Sequence, residues 1–270
     1  MKTRIIVAVA LLPLFLAVLL LCPVWATAIM VAGMAALAVY ELLYTAKLCV
    51  HKRIAIYTAV AAVLTVAWCY FGSPRLWGMA LVFVYLCLLV AELLHANTAL
   101  RFESVCVAVI SAFVIPFALG ALLRIRSMEL GKYYIIVSLI LAFSSDSGAY
   151  FAGRFFGKHK LAPVISPKKT VEGMIGGVIT CVVFMMAYGL ILDFGFHLRV
   201  NYFYATIYGI VGSFASVVGD LVFSVVKRQT GIKDYGKLLP GHGGILDRFD
   251  STILVAPLTE LLILLLPLMM

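Results

Sequence analysis

No aspartate occurs before Asp146, and charge of either sign is scarce throughout the 270 residues: 12% of the chain is charged and 64% is hydrophobic. A soluble domain carries about 25% charged residues, so a mean hydropathy of +1.13 excludes one. Paired cysteine motifs are also missing. Cys22, Cys49, Cys69, Cys87, Cys106 and Cys181 are scattered, none forms a CxxC pair, and most lie inside apolar runs. Small apolar packing is the expected role of such residues, rather than zinc binding or disulfide formation. No internal repeat is evident, which argues against a transporter built from inverted repeats.

What fills the chain is apolar sequence. About 20 apolar residues span the hydrocarbon core of a bilayer. Runs of that kind lie at roughly 4–22, 24–46, 55–72, 76–95, 104–124, 133–153, 172–193, 202–226 and 251–269. The expected fold is therefore all-α and polytopic, with about nine transmembrane helices. Lys2 and Arg4 before an apolar run, then Ala26-Thr27-Ala28, imitate a signal peptide. More apolar sequence follows at once, so a retained first helix is expected. With the N-terminus cytoplasmic, all but five of the 21 Lys and Arg fall inside; Arg75, Arg124, Arg126, Lys132 and Arg199 fall outside. That bias is the positive-inside pattern. It places the polar loops over roughly 154–171 and 227–250 in the cytoplasm and the C-terminus outside.

The two halves differ. Residues 1–130 read as a transmembrane scaffold whose few acids, such as Glu41, Glu92 and Glu103, sit near cytoplasmic helix ends. Residues 131–270 hold all six aspartates and both polar loops, and read as the chemical half. Asp146 lies within an apolar run, where an ionisable residue is costly and marks function by default; a packing role, bonded to neighbouring hydroxyls, is the alternative. Gly212, Ser216 and Asp220 recur at helical spacing, and Ser224 and Lys227 continue the face. Small residues permit close helix approach, so this stripe is expected to aim Asp220 into the bundle.

The densest chemistry is the segment Ser224–Asp250, with five Lys or Arg, three Asp, one His and five Gly between two apolar runs. Cations suit phosphates, carboxylates suit Mg²⁺, and glycines let backbone N–H groups approach an anion. Asp247 and Asp250 are three apart, on one face of a helix, where they can hold a divalent cation. The competing account is an acidic cap at a helix N-terminus. Pro240-Gly241-His242-Gly243-Gly244 can form a backbone nest for a phosphate.

Three segments together resemble the phosphatidate cytidylyltransferase (CDP-diacylglycerol synthase) family. They are Ser224–Asp250, Ser166-Pro167-Lys168-Lys169-Thr170-Val171-Glu172-Gly173, and Asp146-Ser147-Gly148-Ala149-Tyr150 with Gly153. The resemblance implies transfer of a cytidylyl group from CTP to phosphatidate, giving CDP-diacylglycerol and pyrophosphate, with Mg²⁺ and a second cation left open. It implies Asp220, Asp247 and Asp250 as catalytic metal ligands, with Asp146 a fourth. Lys227, Arg228 and Lys233 would hold CTP phosphates, and Lys168 and Lys169 the phosphatidate head group or the triphosphate; Ser166, Asp234, Arg248, Gly243 and Gly244 would also bind substrate, with Asp234 alternatively pairing with Lys233 or Lys237. His242 would bond a phosphate or protonate the leaving group, against the alternative that it only shapes the turn. Expected partners are CTP, phosphatidate and membrane lipids, with a homodimer left open and no nucleic acid. The expected location is the inner cell membrane. Two other lipid enzyme classes fit poorly: the D-G-x₂-A-R arrangement of CDP-alcohol phosphotransferases is missing, and five scattered His do not make paired phosphatase motifs. An anion transporter would not require Lys-Asp, His-Gly-Gly and Asp-Arg-x-Asp in one loop.

Overall fold

The computed structural model describes residues 13–49, 51–72, 75–96, 100–236, 238 and 243–269. A helical stretch over 13–20 comes first. Helix α1 (Val24–Tyr40) runs into a turn of π-helix (Glu41–Thr45), followed by α2 (Lys52–Phe71), α3 (Arg75–Ala96) and α4 (Phe102–Ser127). Then come α5 (Gly131–Phe156), strands β1 (Lys160–Ala162) and β2 (Ser166–Thr170), and α6 (Val171–Leu190), which ends in a π-turn (Ile191–Gly195). Helices α7 (Tyr202–Gln229) and α8 (Leu246–Leu265) complete the chain.

The all-α, polytopic expectation holds. Among the described residues seven helices are long and apolar enough to cross a membrane, rather than nine. Of the expected span over 4–22, residues 4–12 lie outside the described residues. The span expected over 251–269 is α8, which begins with Asp247, Arg248 and Asp250 and carries Glu260; that charge keeps it out of the set of seven. The loop expected over 154–171 contains an antiparallel hairpin pairing Lys160 with Thr170 and Ala162 with Ser166.

The chain divides into two compact units. The first comprises Met1–Glu129 and Gln229–Phe249; the second comprises Leu130–Arg228 and Asp250–Met270. In the first, α2 packs against α1, α3 and α4. Buried hydroxyls are satisfied between these helices: Thr58 Oγ1 and Tyr85 Oη are 2.8 Å apart, and Thr65 donates to the carbonyl of Ala112 at 3.2 Å. Arg126, nearly buried, donates to the carbonyls of Leu19 at 2.6 Å and Cys22 at 3.4 Å. Its guanidinium thereby caps the C-terminal end of the first helical stretch, where a cation is favoured.

In the second unit α5 and α6 lie nearly backbone to backbone. A side chain at Gly173 would stand 2.8 Å from the carbonyl of Ala149, and one at Gly177 would stand 2.9 Å from that of Ser145. The hydroxyls of Ser145 on α5 and Ser213 on α7 bond at 2.7 Å. Thr170 ends β2 and starts α6, its Oγ1 accepting the Gly173 N–H at 3.1 Å. The Glu172 carboxylate accepts from the N–H groups of Lys158 and His159 and bonds His159 Nδ1 at 2.6 Å, which fixes the hairpin on the start of α6.

Candidate functional site

Small residues on α5, α6 and α7 bring polar groups of the second unit together. The predicted Gly212–Ser216–Asp220 face is realised: Gly212 and Ser216 are buried, and Ser216 donates to Asp146 Oδ1 at 2.9 Å. Ser251, in the first turns of α8, donates to Asp146 Oδ2 at 3.3 Å. Ser224 donates to Asp220 Oδ1 at 3.0 Å. On the other oxygen of Asp220 sits the ammonium of Lys169, delivered by β2, at 2.7 Å. Gly219 allows α8 to come this close, because a side chain there would meet the Asp250 carbonyl at 2.9 Å and Ser251 Cα at 3.0 Å.

Asp146, Asp220 and Asp250 lie near enough for their charges to act on one another, with Lys169 acting on Asp146 and Lys227 on Asp250. Asp250 is buried at 8% exposure, Asp220 keeps 31% of its side chain exposed, and Asp146 is exposed. Among the described residues no three His, Cys, Asp or Glu side chains form a ready-made metal group; Asp220's direct cation is the Lys169 ammonium.

The other basic candidates divide by what they touch. Arg228 donates Nε–H to the carbonyl of Ile165 at 3.0 Å, tying the end of α7 to the hairpin. Ser166 of β2 pairs with Ala162 of β1, while Lys168 on the same strand is exposed. Lys227 is half-buried.

In the first unit the loop between Gln229 and Phe249 is organised around two different carboxylates. Asp247 Oδ2 accepts the N–H of Tyr235 at 2.7 Å and that of Gly244 at 3.0 Å. Gly243 has φ +88°, a left-handed conformation suited to glycine, and a side chain there would meet Asp247 Oδ2 at 2.8 Å. Lys233, Asp234 and Arg248 are exposed. Of the expected phosphate nest, Pro240, Gly241 and His242 lie outside the described residues, and the Gly244 N–H is engaged by Asp247.

The second carboxylate is Glu41, which the sequence reading left in the scaffold. It is 4% exposed, on the π-turn that ends α1. Its two oxygens accept the N–H groups of Ile245 at 3.0 Å and Leu246 at 2.9 Å, the first donors of α8. The signal available in sequence was a carboxylate in an otherwise apolar helix end; nothing local pointed to its partners more than 200 positions away.

The family model described as "Cytidylyltransferase family" matches residues 2–266. The chain belongs to the Cytidylyltransferase family. A phosphatidate cytidylyltransferase of Staphylococcus saprophyticus is 45% identical over 133 residues, covering 49% of this chain and 50% of that protein. A phosphatidate cytidylyltransferase of Bacillus subtilis is 40% identical over 177 residues, covering 65% and 64%. The chain thus spans about half the length of the first of these relatives and under two thirds of the second. The resemblance carried by the three sequence segments is borne out at the level of the family.

Proposed function

We propose that the protein transfers a cytidylyl group from CTP to phosphatidate, forming CDP-diacylglycerol and pyrophosphate in the membrane. One observation carries the reading: Asp220 holds the Lys169 ammonium at 2.7 Å inside a stripe of small residues, with Asp146 and Asp250 near enough for their charges to act on it, in a chain of this family. The identity to two phosphatidate cytidylyltransferases supports the choice of acceptor.

The donor set fits Mg²⁺, a hard cation that takes carboxylate and hydroxyl oxygens. Asp220 and Asp250 would hold it, with Asp146 beside them. Bound there, the ion would offset charge on the phosphates. The Lys169 ammonium is the cation the chain itself supplies. It stands at the head of the stripe, where it can pass from Asp220 to a phosphate oxygen by a charge-assisted bond. A phosphate monoester is already anionic near neutral pH, its second pKa being about 6 by analogy with phosphorylated side chains. No strong base is then needed for its oxygen to form the new bond to the α-phosphorus of CTP as the α–β bond breaks. The burden on the protein is electrostatic.

For the first unit we assign the Gln229–Phe249 loop to the nucleotide, with Lys233, Arg248 and Gly243 exposed or half-exposed on it and His242 in the same segment. Asp247 shapes this loop through Tyr235 and Gly244. The charge bias of the sequence puts both polar loops on the cytoplasmic side of the inner cell membrane, where CTP is available.

The test is incubation of purified protein with radiolabelled CTP, phosphatidate and Mg²⁺. Label is expected in an organic-soluble product, with one pyrophosphate released per lipid. Label transfer independent of phosphatidate, or none with it, overturns the reading.

A further inference from the structure

We infer that Glu41 is a positioning residue for the nucleotide loop, acting through the first amides of α8 and not through contact with substrate. The inference rests on the nucleotide assignment of that loop given above. Glu41 lies in the half of the chain that carries no signature residue. Four observations place it.

Its carboxylate is nearly buried at 4% exposure. It spends one oxygen on each of two consecutive amides, Ile245 and Leu246, at 3.0 and 2.9 Å. These are among the donors a helix leaves without an intrahelical partner, and an anion there is favoured by the helix dipole. The surrounding backbone is shaped to the carboxylate. A side chain at Gly244 or at Gly236 would collide with Glu41, and one at Gly236 would also stand 3.1 Å from Gly244 Cα. Finally, Glu41 sits on a π-turn, an irregularity frequent at functional sites, where α1 departs from regular geometry.

These contacts bracket the loop. Gly236 lies in its earlier part, Gly244 to Leu246 form its end, and Lys233 and Gly243 lie beside these two places in the chain. Asp247 engages Tyr235 and Gly244 at the same two places. Among the described residues, Glu41 is thus the acid from outside the loop that bonds its end at Ile245 and Leu246 and lies close against Gly236. An N-terminus already holding a carboxylate is also unavailable to a phosphate. The substrate's phosphates are therefore directed to the loop's side chains rather than to the start of α8.

The size and charge of the group both matter. Glutamine keeps the shape but has one acceptor oxygen, so one amide loses its partner and faces an NH₂ group. Aspartate keeps both oxygens on a shorter stem and cannot reach both amides from the same backbone.

The test uses Glu41→Gln and Glu41→Asp in the full-length protein. Hydrogen exchange read by mass spectrometry is expected to accelerate about tenfold or more in peptides covering 233–247, as follows from losing a charge-assisted bond, with α2 and α6 peptides unchanged. The KM for CTP is expected to rise about tenfold and that for phosphatidate to stay within about twofold. A merely structural role would lower the melting temperature and the active fraction without separating the two KM values. Unchanged exchange over 233–247, or equal shifts of both KM values, overturns the inference. If the wild type performs no cytidylyl transfer, the proposed function falls, and the exchange experiment still decides whether Glu41 holds the loop.

Discussion

Glu41 and Asp247, in the first unit, receive backbone N–H groups. Asp146 and Asp220, in the second, receive serine hydroxyls and one ammonium, while Asp250 beside them takes the N–H of Ser251 at 2.8 Å. The difference separates two uses of the same side-chain chemistry. A carboxylate bonded to main-chain amides is part of the fold, since those donors cannot leave without unmaking a loop or a helix start. A carboxylate bonded to serine hydroxyls and a lysine is surrounded by groups that rotate. Its oxygens can be handed to a metal ion or its lysine to a phosphate without moving the backbone. On this basis we propose that Asp146 and Asp220 are the reactive acids of the second unit, and that Glu41 and Asp247 of the first shape a binding loop.

The strongest test of that division is Asp220→Asn. The change preserves shape and the bond from Ser224, but removes the anion that pairs with Lys169. Turnover is expected to fall by about 10³-fold, near the upper range for losing an electrostatic group at a reacting centre, with thermal unfolding little altered. Activity within a few-fold of wild type at saturating Mg²⁺ would place Asp220 among the structural acids and erase the contrast. Lys169→Ala should come next, with a loss of about 10²-fold. It should also be sharpest for whichever substrate the lysine holds, so separate CTP and phosphatidate titrations decide between them. An equal fall in both kcat/KM values with unchanged KM would mean that Lys169 acts only by ordering Asp220.

A smaller effect is expected at Gly243. Alanine there must adopt φ near +88° and press on Asp247, costing about 1–2 kcal/mol in a left-handed conformation. Since the strain falls on the loop, the CTP dependence should weaken about tenfold while phosphatidate dependence holds. A variant that loses stability but retains its KM for CTP would show that loop shape does not matter to the nucleotide.

Much of this was legible in the sequence because it rests on periodicity and local spacing. The i, i+4, i+8 pattern of Gly212, Ser216 and Asp220 specified an inward face before any contact was known, and Ser216 indeed bonds Asp146. The apolar runs gave an all-α membrane fold. Three features were not legible. The Lys160–Thr170 hairpin is too short for a period-2 pattern to show. Ser251, which donates to Asp146 from the first turns of α8, looks like an ordinary small residue of a packed helix. Glu41 reaches its amides across the chain, and sequence spacing carries no information about a partner so far away. The cap alternative raised for Asp247 describes its contacts in the structure well: one oxygen serves Gly244 just ahead of α8.

Arg126 provides the mildest and cleanest test of the first unit as scaffold. In sequence it is one of five cations expected on the outer side of the membrane; the structure gives it two carbonyls, of Leu19 and Cys22, at the end of the first helical stretch. Methionine at this position keeps the apolar stem and removes both donors. The carbonyls lose a charged partner, a loss of about 1.5–3 kcal/mol for a bond to a charged group. In a chain of this size that corresponds to a fall of roughly 3–9 °C in melting temperature. Neither KM nor kcat per folded molecule should move, because no atom of Arg126 touches the loop or the second unit's acids in any contact described above. Purified Arg126→Met protein, assayed below its own unfolding transition, supplies the measurement. A selective change in the CTP dependence at constant folded fraction would mean that the first unit transmits strain to its loop, and that the boundary drawn between holding and reacting acids is too sharp.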